Sequence, residues 1–319
     1  MIAKKRECQL QDNIKVCANW ATITRQFDRL PQPVRGTDED GDFYRQGWIF
    51  RGHRRETYCL RPSIERMFPS SEWAKAEYEI LEEFKSKARM HLGPAQIPHA
   101  EDKIGWLSVI QHYGAPTRLL DFTYSPYIAL YFALRSRDTN ESEYAEVWGI
   151  DEAALREQVA KTSRTADMEV RQRKGDLPRG GRASLRPEDM TSSLQQVRQE
   201  EELWGTLVRN ALEPNGIRRE YYSRNGFVGV ALPPLHNPRL SSQQGLFLFN
   251  GAERLPFEES LTRMMQGVGH KWYKRFRVPK EAHGKIEKHL FHLNIHDLSL
   301  FPDIEGLAGF VRRKARLRL

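Results

Sequence analysis

Residues 106–134 read WLSVIQHYGAPTRLLDFTYSPYIALYFAL. Apolar runs enclose a short polar centre that holds Gln111, His112, Tyr113, Thr117, Arg118, Asp121, Thr123 and Ser125. A segment apolar at both ends and polar in its middle is either a site carried by its own scaffold or two helices with polar caps between them. Ile104 to Tyr113 has the pattern of a helix, which Gly114-Ala115-Pro116 breaks. Thr117 to Phe122 then reads as short and extended. Ser125-Pro126 opens a second helix through Leu134, with Ser as cap and Pro in the first turn. This order delivers Thr123 and Ser125 to a strand end just before a helix N-terminus, where free backbone donors suit an anion such as pyrophosphate.

Upstream, WIFRGH (Trp48 to His53) is apolar and aromatic enough for a strand that stops at Gly52. An Arg at the end of a buried strand needs a partner, because a desolvated guanidinium without one is costly; ligand and structural salt bridge are the two readings. Residues 71–92 read as an amphipathic helix with Ser71 as N-cap and Trp73, Tyr78, Leu81 and Phe84 along one core-facing stripe. Residues 1–40 mix charge with short apolar patches and run into LPQPVRGTDEDGD, a linker or loop.

Downstream, EVWGI (146–150), GFVGVAL (226–232) and the LFLF of 246–249 read as strands. VGHKWYKRFRV (268–278) alternates as a strand with a basic outer face, and its Trp272, Tyr273 and Phe276 suit a stacking surface for bases. Residues 279–293 read as a helix. Residues 151–202 are polar, helical in propensity and interrupted by KGDLPRGG. Between Lys161 and Arg186 they carry eight Lys or Arg against three acids. They read as a basic insertion or arm, or as a solvated surface helix. The end of the sequence, from Val311, holds five basic residues and no acid. Strands and helices without regular alternation indicate an α+β fold.

At 319 residues the chain is one large domain or two ordinary ones. Its mean hydropathy of -0.67 describes a soluble protein. No stretch reaches the apolar length of a bilayer span, so no membrane association is expected. The opening MIAKKRECQLQDNIKV lacks a secretory leader's apolar run, and Cys8, Cys17 and Cys59 are odd in number and scattered. Both point to a reducing cytoplasm, with neither disulfides nor zinc expected. A net charge of +8 favours an anionic partner such as nucleic acid or a phosphate-bearing ligand.

Common chemical signatures fail: no GxxxxGK[ST], GxGxxG, HExxH or GxSxG occurs. His289, His292 and His296 follow a helix and turn without a supporting acid pattern, so no metal is expected. What remains is Phe50-Arg51-Gly52, then QHYGAPTRLLDFTYSP, then RLSSQQGLF, then SLFPDIEGLA. In this order, over roughly residues 44–311, they resemble the FRG family. A weaker resemblance is to ADP-ribosyltransferases of the Arg-Ser-Glu type. There an aromatic-Arg-Gly strand binds the phosphates of NAD, a Ser/Thr-rich strand leads into an A-x-x-F-A helix, and a Gln/Glu-x-Glu turn precedes an apolar strand. Phe50-Arg51-Gly52 is similar to the first, Asp121 to Ser125 followed by Ala129 to Ala133 to the second, and Gln243-Gln244-Gly245 to the third. The departure is Gly245, which stands where the catalytic Glu belongs.

These resemblances imply an ADP-ribosyltransferase-like split β-sheet with flanking helices. They imply an N-terminal extension over 1–40, a domain over 41–311 with an insertion at 151–202, and a basic tail at 312–319. They imply an enzyme that transfers ADP-ribose from NAD to a macromolecule, nucleic acid such as RNA or else protein, as a toxin or anti-phage effector that an antitoxin would neutralise. Arg51, Asp121 and Gln243 are then the catalytic candidates, Asp121 standing in for the missing Glu. Arg51, Gly52, His53, Gln111, His112, Tyr113, Thr117, Arg118, Thr123 and Ser125 are the NAD-binding candidates. The alternatives are a nucleic-acid-binding module without NAD chemistry and a nuclease using His112 and Asp121 as acid and base.

Overall fold

The strands run in chain order as β1 (Ile14–Val16), β2 (Val34–Asp38), β3 (Gly41–Arg45), β4 (Trp48–His53), β5 (Leu119–Thr123), β6 (Tyr144–Asp151), β7 (Val228–Ala231), β8 (Gly245–Asn250) and β9 (Tyr273–Pro279). The helices are α1 (Trp20–Asp28), α2 (Ser63–Met67), α3 (Trp73–Ala88), α4 (Lys103–His112), α5 (Pro126–Leu134), α6 (Glu152–Lys174), α7 (204–212), α8 (Gly216–Asn225), α9 (Pro238–Ser242), α10 (Phe257–Met264), α11 (His283–His292), α12 (Asp297–Leu300) and α13 (Ile304–Leu317). The structure is a computed structural model that describes residues 8–31, 34–38, 41–45, 47–135, 143–174, 204–214, 216–232, 238–268 and 271–318.

Seven strands form one sheet in the order β1-β9-β6-β4-β5-β8-β7, in which only the β1–β9 pair is parallel. The fold is α+β. The strand period of two sorts its central residues onto opposite faces. Trp48, Phe50, Ala145, Val147, Phe276 and Val278 share one core with α1, α5 and α11, while Ile49, Trp148, Ile150 and Tyr273 share the other with α6, α8 and α10.

The sheet is continuous but forked. β4 pairs with β6 over six residues, whereas β4 and β5 share one pair, Phe50 with Thr123. Beyond that pair the strands part, and Arg51 and Asp121 meet where they part.

α5 is apolar all round because it is enclosed. Pro126 stands in its first turn, and the Ser125 hydroxyl accepts the Ile128 N–H at 3.3 Å, as the Ser-Pro pair predicts. The helix lies directly on β4. A methyl group at Gly52 would stand 2.0 Å from the Ala129 carbonyl oxygen and 2.6 Å from the Ala133 nitrogen. The close backbone approach of a helix is thus one physical reason for the glycine of the Phe-Arg-Gly signature.

Several expectations change. The N-terminal extension is part of the core: β1 pairs with β9, and Ile23 and Phe27 are buried. A hairpin, β2–β3, occupies most of the expected loop at 30–42. α3 begins at Trp73 with Glu72 rather than Ser71 at the cap position, and Tyr78 is 66% exposed instead of facing the core. The first half of the supposed insertion is α6, whose Leu155, Val159 and Ala166 are buried against the sheet. Its basic residues are partly neutralised, Lys161 by Glu157 and Arg173 by Glu169 and Glu220. The KGDLPRGG stretch beyond Lys174 lies outside the described residues. The stacking surface expected on 268–278 does not exist, because Trp272, Tyr273 and Phe276 are buried. The expected basic tail is the end of α13, where Arg313 is buried against Asp297 and Glu287.

The cysteine expectation is also overturned. Cys8 and Cys59, 51 positions apart, form a disulfide with their Cα atoms 5.2 Å apart. Sequence spacing cannot show this pairing, because it arises from an N-terminal segment folding back beside the loop after β4. Cys17 is free and buried, and burial pushes its thiol up to about 11. No helix among the described residues is long and apolar enough to cross a membrane.

Candidate functional site

A cleft of about 1130 Å³ opens at the fork between β4 and β5. Arg51 sits in the fork. Its Nη1 donates to the Asp121 carbonyl at 2.6 Å and lies 3.8 Å from the Asp121 carboxylate, so the guanidinium stands in for the ladder bonds that the diverging strands no longer make. Its Nε donates to His53 Nε2 at 3.2 Å. That bond fixes the tautomer: His53 carries its proton on Nδ1 and donates it to the Tyr58 carbonyl at 3.1 Å. Burial, and then the neighbouring Arg51 charge, hold His53 well below its ordinary value.

This has a sign that can be measured. Unfolded, His53 takes up a proton near pH 6.5; folded, it stays neutral to much lower pH. Its contribution to stability is complete above the unfolded value and is lost as pH falls below it toward the folded value. The urea midpoint is expected to drop between about pH 7 and about pH 5, and to drop less in His53→Gln. Parallel slopes in the two proteins would remove His53 as the source.

Asp121 is held from the other side. Gln111, at the end of α4, donates Nε2 to Asp121 Oδ1 at 2.7 Å, and the Thr117 hydroxyl donates to Gln111 Oε1. Thr117 is fully buried, and its backbone exchanges hydrogen bonds with the Ser63 hydroxyl. Gly114, at φ +88, lets α4 stop and the chain turn toward this network. The Asp121 side chain remains 60% exposed, so its orientation is fixed while it faces solvent in the cleft.

At the neighbouring wall, the Thr123 hydroxyl donates to the Gln243 carbonyl at 2.7 Å and accepts the Ser125 N–H at 3.1 Å. Gln243 Nε2 donates to the Leu300 carbonyl at 3.0 Å. Phe301 follows, 2% exposed, with the guanidinium carbons of Arg135 and Arg239 at 4.1 and 4.4 Å from its ring centre. Gly245 pairs with Thr123 and lines the cleft; a methyl group there would meet only the Leu240 side chain closely.

Of the expected binding residues, Arg51, Gly52, His53, Gln111, His112, Asp121, Thr123 and Gln243 line the cleft. Four do not. Arg118 points the other way, to Glu77 and to the carbonyls of Leu212 and Asn250. Thr117 acts beneath the surface through Gln111, Ser125 is engaged as a helix cap, and Tyr113 is exposed outside the cleft. Among the described residues no hydrogen bond joins His112 to Asp121, whose side-chain partners are Gln111 and Arg51. Two of the three histidines near the C-terminal end have structural roles: His289 stacks on Trp20 and His296 caps α12.

Residues 46–142 match the family model of the FRG domain. The chain carries an FRG domain. No curated protein and no solved structure matches the chain. The FRG match runs from the start of β4 to just past α5, so it contains the fork, Arg51, Gln111, Asp121 and the Gly52–α5 contact. Gln243 reaches the same cleft from outside the matched FRG stretch, as does Arg239, which rests on the Phe301 ring.

Arginines are the part of the site that the motifs do not reveal. Arg54, Arg61, Arg66, Arg239 and Arg254 line the cleft beside Arg51, against the carboxylates of Glu65, Asp121, Glu258 and Glu259. The available signal is density: five arginines fall between positions 51 and 66.

Proposed function

We propose that the FRG domain of this chain is an ADP-ribosyltransferase-like enzyme that takes NAD as substrate and transfers ADP-ribose to a macromolecular acceptor. The observation that carries this reading is the fork. A guanidinium and an oriented, solvent-facing carboxylate lie side by side where two strands part, next to a strand end that runs into a helix N-terminus. Arg51 uses Nε and one Nη1 N–H on His53 and the Asp121 carbonyl, and its remaining donors suit a diphosphate bound in bidentate fashion. Positive charge develops on the ribose as its bond to nicotinamide breaks. The Asp121 carboxylate, held by Gln111, offsets that charge from a fixed position, so little reorganisation accompanies the step. Gln243 holds the third wall in place through Leu300. As a toxin or anti-phage effector, such an enzyme would act by modifying macromolecules of the host or the phage.

The test is incubation with labelled NAD together with total RNA, DNA and lysate protein. The wild type is expected to release nicotinamide and label an acceptor. Arg51→Ala and Asp121→Asn are each expected to lose roughly 10²–10³-fold in rate, the size of effect for removing one preorganised electrostatic group. No release from folded wild-type protein would end this reading. Strand cleavage without NAD would instead favour a nuclease.

A further inference from the structure

The cleft is large for a small-ligand site and rich in arginine. Small-ligand pockets span roughly 300–1,000 Å³, whereas this one holds about 1130 Å³. Six arginines line it against four carboxylates, of which Asp121 pairs with Arg51 and the other three have further engagements. Glu65 accepts the Phe257 N–H at 2.9 Å, and Glu258 accepts the N–H groups of Leu10 and Leu60 at 2.9 and 3.3 Å. Glu259 pairs with Arg263 at 2.6 Å, and Asp121 lies between Gln111 and Arg51.

On the wall formed by the loop after β4, by α2 and by the loop before α10, Arg61, Arg66 and Arg254 make no ion pair with any described residue. Arg61 donates to the Glu65 carbonyl and Arg66 to the Arg61 carbonyl, so backbone contacts position both guanidinium groups. Burial, and then the neighbouring Arg61 charge, hold Arg66 below its ordinary value, which the Asp121 and Glu65 carboxylates offset in part, and an anion bound here would add to that offset. Tyr58 stands on the same wall, 38% exposed, with the Arg55 guanidinium 5.7 Å from its ring centre. Cations held by backbone carbonyls rather than by ion pairs, beside an exposed aromatic ring, are the elements of a single-strand site: arginines for the phosphates and a ring for a base.

We infer that Arg61, Arg66, Arg254 and Tyr58 form a subsite for single-stranded nucleic acid, and that this strand is the acceptor presented to the cleft. Single strands are favoured over duplex because a reactive base atom is inaccessible within a stack. The acceptor role rests on the transfer reading above; the binding itself does not.

The experiment is fluorescence anisotropy of the full chain with a labelled single-stranded RNA, the same sequence as DNA, and the corresponding duplex, all without NAD, over a salt series. Single strands are expected to bind more tightly than the duplex. The Arg61→Ala/Arg66→Ala/Arg254→Ala variant is expected to flatten the slope of log K against log salt by about 2, from roughly 0.7 for each phosphate no longer neutralised. Tyr58→Ala is expected to weaken binding roughly tenfold without changing the slope. Arg254→Glu alone, at an exposed loop position, should weaken binding even if the triple variant folds poorly, and Arg171→Ala on α6 should not. Unchanged affinity and slope in Arg254→Glu and in the folded triple variant would overturn the subsite. So would wild-type protein that binds no single strand but labels protein in the lysate, which would mark a polypeptide acceptor. Arginine-dependent strand binding without nicotinamide release would leave the subsite standing and remove the transfer reading; the reverse pattern would do the opposite.

Discussion

Glu146→Ala is expected to be among the most destabilising single substitutions in this protein. Glu146, the third residue of β6, has no solvent exposure, and its two oxygens accept from Arg275 Nη2 at 2.7 Å and Arg277 Nε at 2.9 Å. Arg275 is itself 2% exposed. It donates to the carbonyls of Leu10 and Glu56, and its guanidinium carbon lies 4.4 Å from the Trp148 ring centre. Removing the carboxylate leaves that guanidinium in the core without its hydrogen-bonded counter-charge, with the more distant Glu258 left to offset it in part. Breaking a buried pair from one side costs about 3–5 kcal/mol, out of a total stability of about 5–15 kcal/mol for a typical domain. A urea titration is expected to show the midpoint falling by roughly a fifth of its value or more, up to the protein failing to accumulate. Arg277→Ala removes a partner that is 24% exposed and should cost far less. Equal midpoints for Glu146→Ala and wild type would show that the arginines find other compensation.

Gly52→Ala comes second and separates two explanations of the Phe-Arg-Gly signature. If the glycine serves packing, the added methyl group collides with the Ala129 carbonyl and the Ala133 nitrogen, both of them backbone atoms that can move only with α5. Overpacking of this kind costs about 1–3 kcal/mol and more when backbone must shift. The expected result is a lower melting temperature in protein without any ligand. Gly245→Ala is the control, because its new methyl group meets the mobile Leu240 side chain. If Gly52→Ala melts with the wild type yet loses nicotinamide release, the glycine serves ligand approach instead.

Much of the scaffold is legible in the sequence because local signals agree with it. The Ser125-Pro126 start of α5, the Gly114 stop after α4 and the apolar β4 and β8 each follow from residues within one turn or strand. The errors come from contacts that cross the chain. Trp272, Tyr273 and Phe276 have the pattern of an aromatic-basic surface, and β6 and β1 bury them by flanking β9. Arg118 sits in the same polar run as Arg51's partners, yet it faces Glu77, which Arg118 and Lys103 hold below the usual carboxylate range against the upward push of burial. The Cys8–Cys59 pair and the Arg61–Arg66–Arg254 wall join loops that no periodicity links.

The position of Glu146 also bears on how the chain is made. β6 has β4 on one side and β9 on the other, and β9 begins roughly 120 residues after β6 ends. At about 5–20 residues per second, a growing chain carries one side of β6 without its partner for roughly 6–24 seconds. An apolar strand left open that long is a template for pairing with another chain. A carboxylate near its start, facing inward, opposes such pairing until Arg275 and Arg277 are synthesised, so the charge that locks the finished sheet first guards the unfinished one.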